Sequence, residues 1–283
     1  MKEQLQFRWL GTAGIELEYR GERILIDPYL SRFPFRNALF GRPVPKQDLV
    51  ARYLSPTRAI LVSHPHFDHL ADVPAVCREF DAAAYGSPNT SAILRAHGIP
   101  PPQIRTVQAG DRVGIGPFEI RILPGRHGRM LGMLPYAGPL PARLNPPLRL
   151  SEYRMDVMFS FQVRAADASV LVWNGPESPG VPIADALFFC PLWGARTCAA
   201  IAGAAQARIV VPVHWDDFFS PLERTLHPLI APPGWHSPWI RRMDPVAFAR
   251  SMNQLLPEVQ VHIPDVFKSV YVGQGFHQRK EEH

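Results

Sequence analysis

The chain has 283 residues, 46% hydrophobic and 19% charged, a globular balance that excludes wholesale disorder. Its formal net charge is +5, but no run of five like charges gathers the basic residues into a nucleic-acid arm. Three cysteines, Cys77, Cys190 and Cys198, are odd in number and form no C-x-x-C pair, which excludes a disulfide framework and a zinc ribbon. The opening MKEQLQFRWLG enters an alternating pattern with no charged-then-apolar leader, and no apolar run is long enough to cross a bilayer. The expected compartment is a reducing cytoplasm.

Strand patterns open the chain. LQFRWL alternates with Leu5, Phe7 and Trp9 on one face, IELEY repeats the alternation, and RILIDP follows a turn at Arg20 and Gly21. Together they predict a β-meander. Residues 28–56, rich in Pro and aromatics, read as a long loop, and AILVS from Ala59 to Ser63 reads as a buried strand. Helices are predicted over Asp72–Phe80 and Pro88–His97, the second stopping at Gly98. FEIRIL is a further strand, followed by an irregular stretch over residues 128–152. MFSFQV, SVLVW and ADALFFC read as strands, and small residues predict a helix over Cys198–Ala207. RIVVPVHW reads as a strand ending on His214, before an aromatic, Pro-rich loop over residues 218–244. A helix over Pro245–Leu256 and a strand over Val259–Ile263 close the pattern. No repeat or linker divides the chain, so one domain over residues 1–283 is expected, with sheet packed on sheet and helices outside.

The densest chemistry lies in SHPHFDHL, Ser63 to Leu70, which places three histidines and an aspartate in six positions. On an extended backbone, residues two apart share a face, so His64, His66 and Asp68 are expected to converge, with His69 pointing from the turn that follows. Neutral imidazoles suit zinc, manganese or iron, and a carboxylate adds an anionic oxygen ligand. A solvated patch is the bland alternative, and a cluster at the end of a buried strand argues against it.

H-x-H-x-D-H after a buried strand resembles the signature of the metallo-β-lactamase fold hydrolases. This version looks most like the branch of L-ascorbate-6-phosphate lactonase and N-acylphosphatidylethanolamine phospholipase D. The resemblance implies an α/β fold: a four-layer αββα sandwich of two mixed β-sheets with flanking helices and a metal site at one edge. It implies His64, His66 and His127 (in LPGRHGR) around one divalent ion, and Asp68, His69 and His214 (in VVPVHWDD) around a second. Asp27 in LIDP matches the carboxylate that holds a ligand imidazole in its tautomer, though an Asp before Pro28 also suits a turn. His97, His227, His236, His262, His277 and His283 match no motif; of these, His227 and His236 lie in the loop after His214, within possible reach of a substrate.

The family's bridging carboxylate is missing. SVLVW leads into Asn174 and Gly175, so the position between the metals holds an amide. An amide oxygen can coordinate but cannot neutralise two cations, so one metal is expected to bind firmly, zinc first with manganese or iron compatible, and the second weakly. Asn-Gly also deamidates readily, which offers a route back to a carboxylate. The implied reaction is hydrolysis by a metal-activated water of an ester, lactone or phosphodiester, with Asp68 orienting the water and taking its proton.

The three long loops carry Phe33, Phe35, Phe40, Met130, Met133 and Tyr136, then Phe218, Phe219, Trp235 and Trp239. Interleaved among them are Arg32, Arg36, Arg126, Arg129, Arg143 and Arg149, which together suit an anionic or amphiphilic small molecule; the competing expectation is that the aromatics simply pack the loops down. Two other classes stay open. One is a nucleic-acid processing hydrolase similar to ribonuclease Z, against which the scattered charge argues. The other is a non-catalytic metal-binding protein that lost activity with the bridging carboxylate. No G-x-S-x-G elbow or phosphate-binding loop of the Walker type is present.

Overall fold

A computed structural model describes residues 4–36, 41–129, 133–231 and 241–272. Strands β1 (Gln6–Trp9), β2 (Ile15–Tyr19) and β3 (Glu22–Ile26) form the expected antiparallel meander. Parallel strands β4 (Ala59–Leu61), β5 (Ala83–Gly86) and β6 (Ile104–Thr106) extend one side of it. The second sheet starts with the antiparallel run β7 (Arg112–Ile115), β8 (Phe118–Pro124), β9 (Phe159–Ala165) and β10 (Ala168–Trp173). It continues with parallel β11 (Ala186–Phe189) and β12 (Ile209–Pro212). A two-stranded ribbon joins β13 (Ile230–Ala231) to β14 (Arg241–Arg242). Last come β15 (Gln260–Val261), parallel beside β12, and β16 (Ser269–Tyr271), antiparallel on the free edge of β1. The two main sheets have seven strands each, in the orders β16-β1-β2-β3-β4-β5-β6 and β15-β12-β11-β10-β9-β8-β7.

Alternation along the strands builds four layers. Ile24 and Ile26 face the same inter-sheet core as Val170, Val172 and Phe188, while Leu25 and Leu171 turn outward into separate clusters. Burial on both faces explains the near-continuous apolar runs in β4, β11 and β12. Phe7 and Phe188 meet edge to face across the sheets at 4.9 Å, an arrangement worth about 0.5–1.5 kcal/mol beyond the burial of the two rings. Helices α1 (Gln47–Tyr53), α2 (Phe67–Leu70), α3 (Val73–Phe80) and α4 (Pro88–Ala96) lie with the first sheet, and α5 (Ala195–Ala205) and α6 (Pro245–Leu255) cover the second. This is the expected α/β sandwich of two mixed sheets with helices outside.

Several boundaries differ from expectation for local reasons. The stretch 28–56 is not all loop: Leu49 and Val50 are buried on α1. Asp72 precedes α3 but caps nothing there; its carboxylate accepts instead from Leu30 N at 2.6 Å and Ser31 N at 2.7 Å. Helix α4 ends at Ala96, and Ser87 caps its start by accepting from Thr90 N. Helix α5 begins at Ala195 and ends at Ala205, α6 ends at Leu255, and β15 keeps only two residues of the expected strand. Strand β12 stops at Pro212, leaving His214 beyond the ladder with a left-handed backbone at φ 58°. No helix among the described residues is long and apolar enough to cross a membrane.

Candidate metal centre

Strand β4 delivers the histidine motif to one edge of the two sheets. His64 and His66 follow on extended backbone, and His66 is the N-cap of α2, which carries Asp68 and His69. Strand periodicity therefore stops at His66; His64, His66 and Asp68 line one cavity, but Asp68 falls into a different set of ligand atoms from the two histidines. The residues divide instead into two sets, His64 with His66 and His127, and Asp68 with His69 and His214. Within each set the possible ligand atoms all lie within 4.8 Å of one another. The rings of His64 and His69 are 4.0 Å apart, so the sets adjoin.

Hydrogen bonds orient these rings. Asp27 accepts from Ser63 N at 2.7 Å and from Ser63 Oγ at 2.5 Å. Having donated its one proton, Ser63 Oγ can only accept from His64 Nδ1, 3.1 Å away, which leaves His64 Nε2 with its lone pair. His69 Nδ1 lies 2.9 Å from Asp27 Oδ2, which frees His69 Nε2 in the same way. His127 Nδ1 donates to Gly128 O at 2.7 Å, and His66 Nε2 donates to Pro135 O at 3.0 Å. The remaining lone pairs, His64 Nε2 and His66 Nδ1, face each other at 3.0 Å. Two lone pairs at that distance repel unless a proton or a cation lies between them. These tautomers are assigned from the network.

Charge supports the same division. Burial first, then neighbouring imidazoles, holds His64 below its ordinary pKa, while burial takes His66 to about 3 and His127 to about 4. Three neutral nitrogen donors result. Burial would lower His69 too, but Asp27 and Asp68 outweigh it and raise the ring. Burial would raise Asp68, yet His69 and His214 hold it well below the carboxylate range. Asp68 Oδ2 is 3.2 Å from His214 Nε2 and 3.5 Å from His69 Nε2.

His214 is placed by a network that its motif does not reveal. Its N–H donates to Thr12 O at 2.7 Å. Thr12 N donates to Asp216, and Asp216 accepts from Arg32 Nη2 at 2.6 Å in an ion pair with both side chains fully buried. Gly11, at φ +85°, leaves room for that guanidinium, since a Cβ there would stand 2.1 Å from Arg32 Nη2. Arg32 is thus a structural cation, contrary to the expectation that it faces a substrate. Ser63, Thr12 and Asp216 are the contributors that motif reading missed. Ser63 lies inside SHPHFDHL and Asp216 inside HWDD, but only their partners' positions reveal their roles.

Asn174 follows β10 and lines the same cavity. Its side-chain Nδ2 donates to Phe159 O at 2.8 Å, and its main-chain carbonyl accepts from Arg126 N at 2.7 Å, joining β10 to the turn that carries His127. The cavity, about 390 Å³, is lined by all six ligand candidates and by Asp27. Phe35, Tyr136, Phe218 and Phe219 contribute to its walls, whereas Phe33 is buried in the core beside α1. Among the arginines of the three loops, only Arg126 reaches this cavity, and it pairs with Glu177. Arg129 lines an adjoining open groove of about 760 Å³, and Arg36, Arg143 and Arg149 line neither. His97, His227 and His262 lie outside the cavity. Phe40, Met130, Trp235, Trp239, His236, His277 and His283 fall outside the described residues.

Comparison with known proteins finds similarity in sequence over part of the chain and in fold over nearly all of it. The sequence model of a β-lactamase superfamily domain matches residues 22–140. A UPF0173 metal-dependent hydrolase of Pyrobaculum islandicum is 36% identical over 112 residues, 40% of this chain and 45% of that one. One of Pyrobaculum aerophilum is 30% identical over 125 residues, 44% and 51% of the two chains. The chain spans about half the length of the curated relatives it matches. Among solved structures, Igni18, a metallo hydrolase of Ignicoccus hospitalis, superposes with a TM-score of 0.62 at 14% identity, covering 96% of this chain and all of that one. The metallo-β-lactamase fold protein YhfI of Bacillus subtilis gives 0.58 at 13% identity, covering 95% and 99%. CmlA, a diiron β-hydroxylase of Streptomyces venezuelae, gives 0.56 at 15% identity, covering 98% of this chain and 55% of that one. These likenesses concern the fold alone, and the same fold serves different chemistries.

Proposed function

We propose that this chain, which has the metallo-β-lactamase fold and carries a β-lactamase superfamily domain over residues 22–140, is a metal-dependent hydrolase of a small molecule. The observation that carries this reading is the gathering of ligand atoms of His64, His66 and His127 within 4.8 Å of one another, with His64 Nε2 and His66 Nδ1 3.0 Å apart. Such a set fits a borderline divalent ion, zinc before manganese or iron. His64, His66 and His127 would hold one ion, and Asp68, His69 and His214 a second, with Asn174 beside them and Asp27 fixing the His69 tautomer. When bound, a divalent ion supplies Lewis acidity, acidifying water and polarising a carbonyl or phosphoryl oxygen.

The protein's own residues would do the rest. Asp68, held ionised by His69 and His214, would accept the proton of the attacking water and pass it to the leaving oxygen as that bond breaks. Substrates of the reading are esters, lactones or phosphodiesters, the bond types of the lactonase and phospholipase branch. The names of the curated relatives go no finer than metal-dependent hydrolase. The second set holds a single carboxylate ligand and Asn174 adds no charge, so one ion is expected to bind firmly and the other weakly. That same deficit favours a second reading, a metal-binding protein without turnover.

Metal analysis together with turnover on a panel of aryl esters, lactones and aryl phosphodiesters, with zinc, manganese or iron added, separates the two. His66→Ala should lose both the firmly held metal and all turnover. Activity retained by that variant would overturn the assignment.

A further inference from the structure

We infer that the inner part of the cavity receives an uncharged, apolar group of the substrate, so the hydrolysed ester or lactone carries an aliphatic or aryl substituent with no charge at its far end. The inference rests on the hydrolase reading for the identity of the bond cleaved, but not for what the walls bind. Beside the ligand residues, the cavity wall includes Val172, Phe188, Leu192, Val213, Leu229 and Met243, none of them more than 8% exposed. No cationic or anionic side chain stands among those six. The charged residues of the described lining are Asp27, Asp68 and Arg126. Asp27 is engaged by Ser63 and His69, and Asp68 faces His69 and His214. Arg126 is 60% exposed and paired with Glu177.

A carboxylate or phosphate seated against the inner wall would lose its hydration with no partner in return, at heavy cost. A methylene there gains about 0.8 kcal/mol, a factor of about four in affinity. At about 390 Å³, near the small end of ligand pockets, the cavity holds the reacting group and one short chain or ring. The rim is aromatic as well: Phe35 is 59% exposed and meets Phe219 edge to face at 5.1 Å.

The test uses the metal-loaded full chain and uncharged methyl ketones, which present a carbonyl without a leaving group. Binding is followed by calorimetry or by tryptophan fluorescence, with Trp193 in the cavity wall as reporter. From butan-2-one to octan-2-one, affinity should rise about fourfold per methylene until the wall is met. With the same ketone at the reacting end, 7-oxooctanoate should bind at least 100-fold more weakly than octan-2-one. Leu192→Trp, shown folded by its melting curve, should flatten the chain-length dependence. Affinity indifferent to chain length, or 7-oxooctanoate binding as well as octan-2-one, overturns the inference, and neither result depends on any variant. Turnover of aryl octanoates is measured alongside. A rising ketone series without cleavage of any ester, lactone or phosphodiester would remove the hydrolase reading and leave the apolar wall established.

Discussion

Replacing Asp216 by Asn removes one charge from a site where neither partner touches water. Asp216 and Arg32 form an ion pair at 2.6 Å with both side chains fully buried. The amide is nearly isosteric and can still accept from Thr12 N, so the change isolates the charge. Arg32 keeps its bond to Asp217 O, but its Nε has no partner and its guanidinium would remain buried without a counter-ion. Leaving one member of such a pair uncompensated costs about 3–5 kcal/mol. At roughly 2–4 °C per kcal/mol for a chain of this size class, Tm should fall by about 6–20 °C. Pairing Asp216→Asn with Arg32→Met removes the orphaned charge and should recover most of the loss. Denaturant melts of the two single variants and the double variant give the coupling directly. Because Thr12 joins Asp216 to His214, the Asp68 set should also lose metal affinity while the His64 set keeps its own. A single variant within 1 kcal/mol of the parent, or a double variant no better than the single, would refute this account of how His214 is placed.

Three further outcomes are expected. Asp27→Asn weakens the acceptor of His69 Nδ1 and should reduce metal affinity of the Asp68 set by about 10–100-fold, read by chelator competition. Unchanged affinity would mean that Asp27 serves only the turn before Pro28. Asn174→Asp should tighten the second metal equivalent at least tenfold, about 1.4 kcal/mol, while destabilising the metal-free chain by about 1–3 kcal/mol because Phe159 O loses its donor. Metal titration and a melt without metal check the two halves separately. For His97, burial and then Arg78 lower the pKa to about 4, and its Nε2 is buried without a partner. The unfolded chain takes this proton first, so the stability tied to the neutral ring is present above the unfolded value near 6.5 and is lost as pH falls toward 4. His97→Gln should remove up to about 3 kcal/mol of that loss, measured by urea denaturation at pH 7 and pH 4.5, and an unchanged pH slope would exclude the ring.

What could be read from the chain beforehand follows from the range of each interaction. The β-meander was legible because Phe7, Trp9 and Leu17 alternate with residues facing the other way, and burial acts on that alternation directly. Strands β5 and β6 were not legible. AAYG and IRT are too short and too small or polar to signal a strand; β5 forms on the parallel edge that β4 offers, and β6 on the edge of β5 in turn. Helix α1 was hidden for a similar reason, since seven residues bury only Leu49 and Val50 and the turn chemistry around them dominates. In the site, the crowded motif around His64, His66, Asp68 and His69 stands out by its residue types, whereas His127 and His214 were named through the resemblance to the metallo-β-lactamase fold hydrolases. The arginines misled because their composition matched an anionic substrate, while one of them was needed inside the fold at Asp216.

The backbone itself records what the site demands. Thr12, Asp27, Arg32 and His214 all sit at φ between 43° and 58°, a region that costs a residue with a side chain about 1–3 kcal/mol. Each of the four takes part in orienting the Asp68 set: Asp27 through His69, and Thr12 and Arg32 through the tie that ends on His214. Asp27 bears on the His64 set as well, through Ser63 Oγ and His64 Nδ1, whereas His66 stands on extended backbone at φ −70° with its ring held by the Pro135 carbonyl. Backbone strain thus lies where it fixes the direction of ligand candidates, as expected of a ring such as His214 that must hold one orientation beyond the end of its strand ladder.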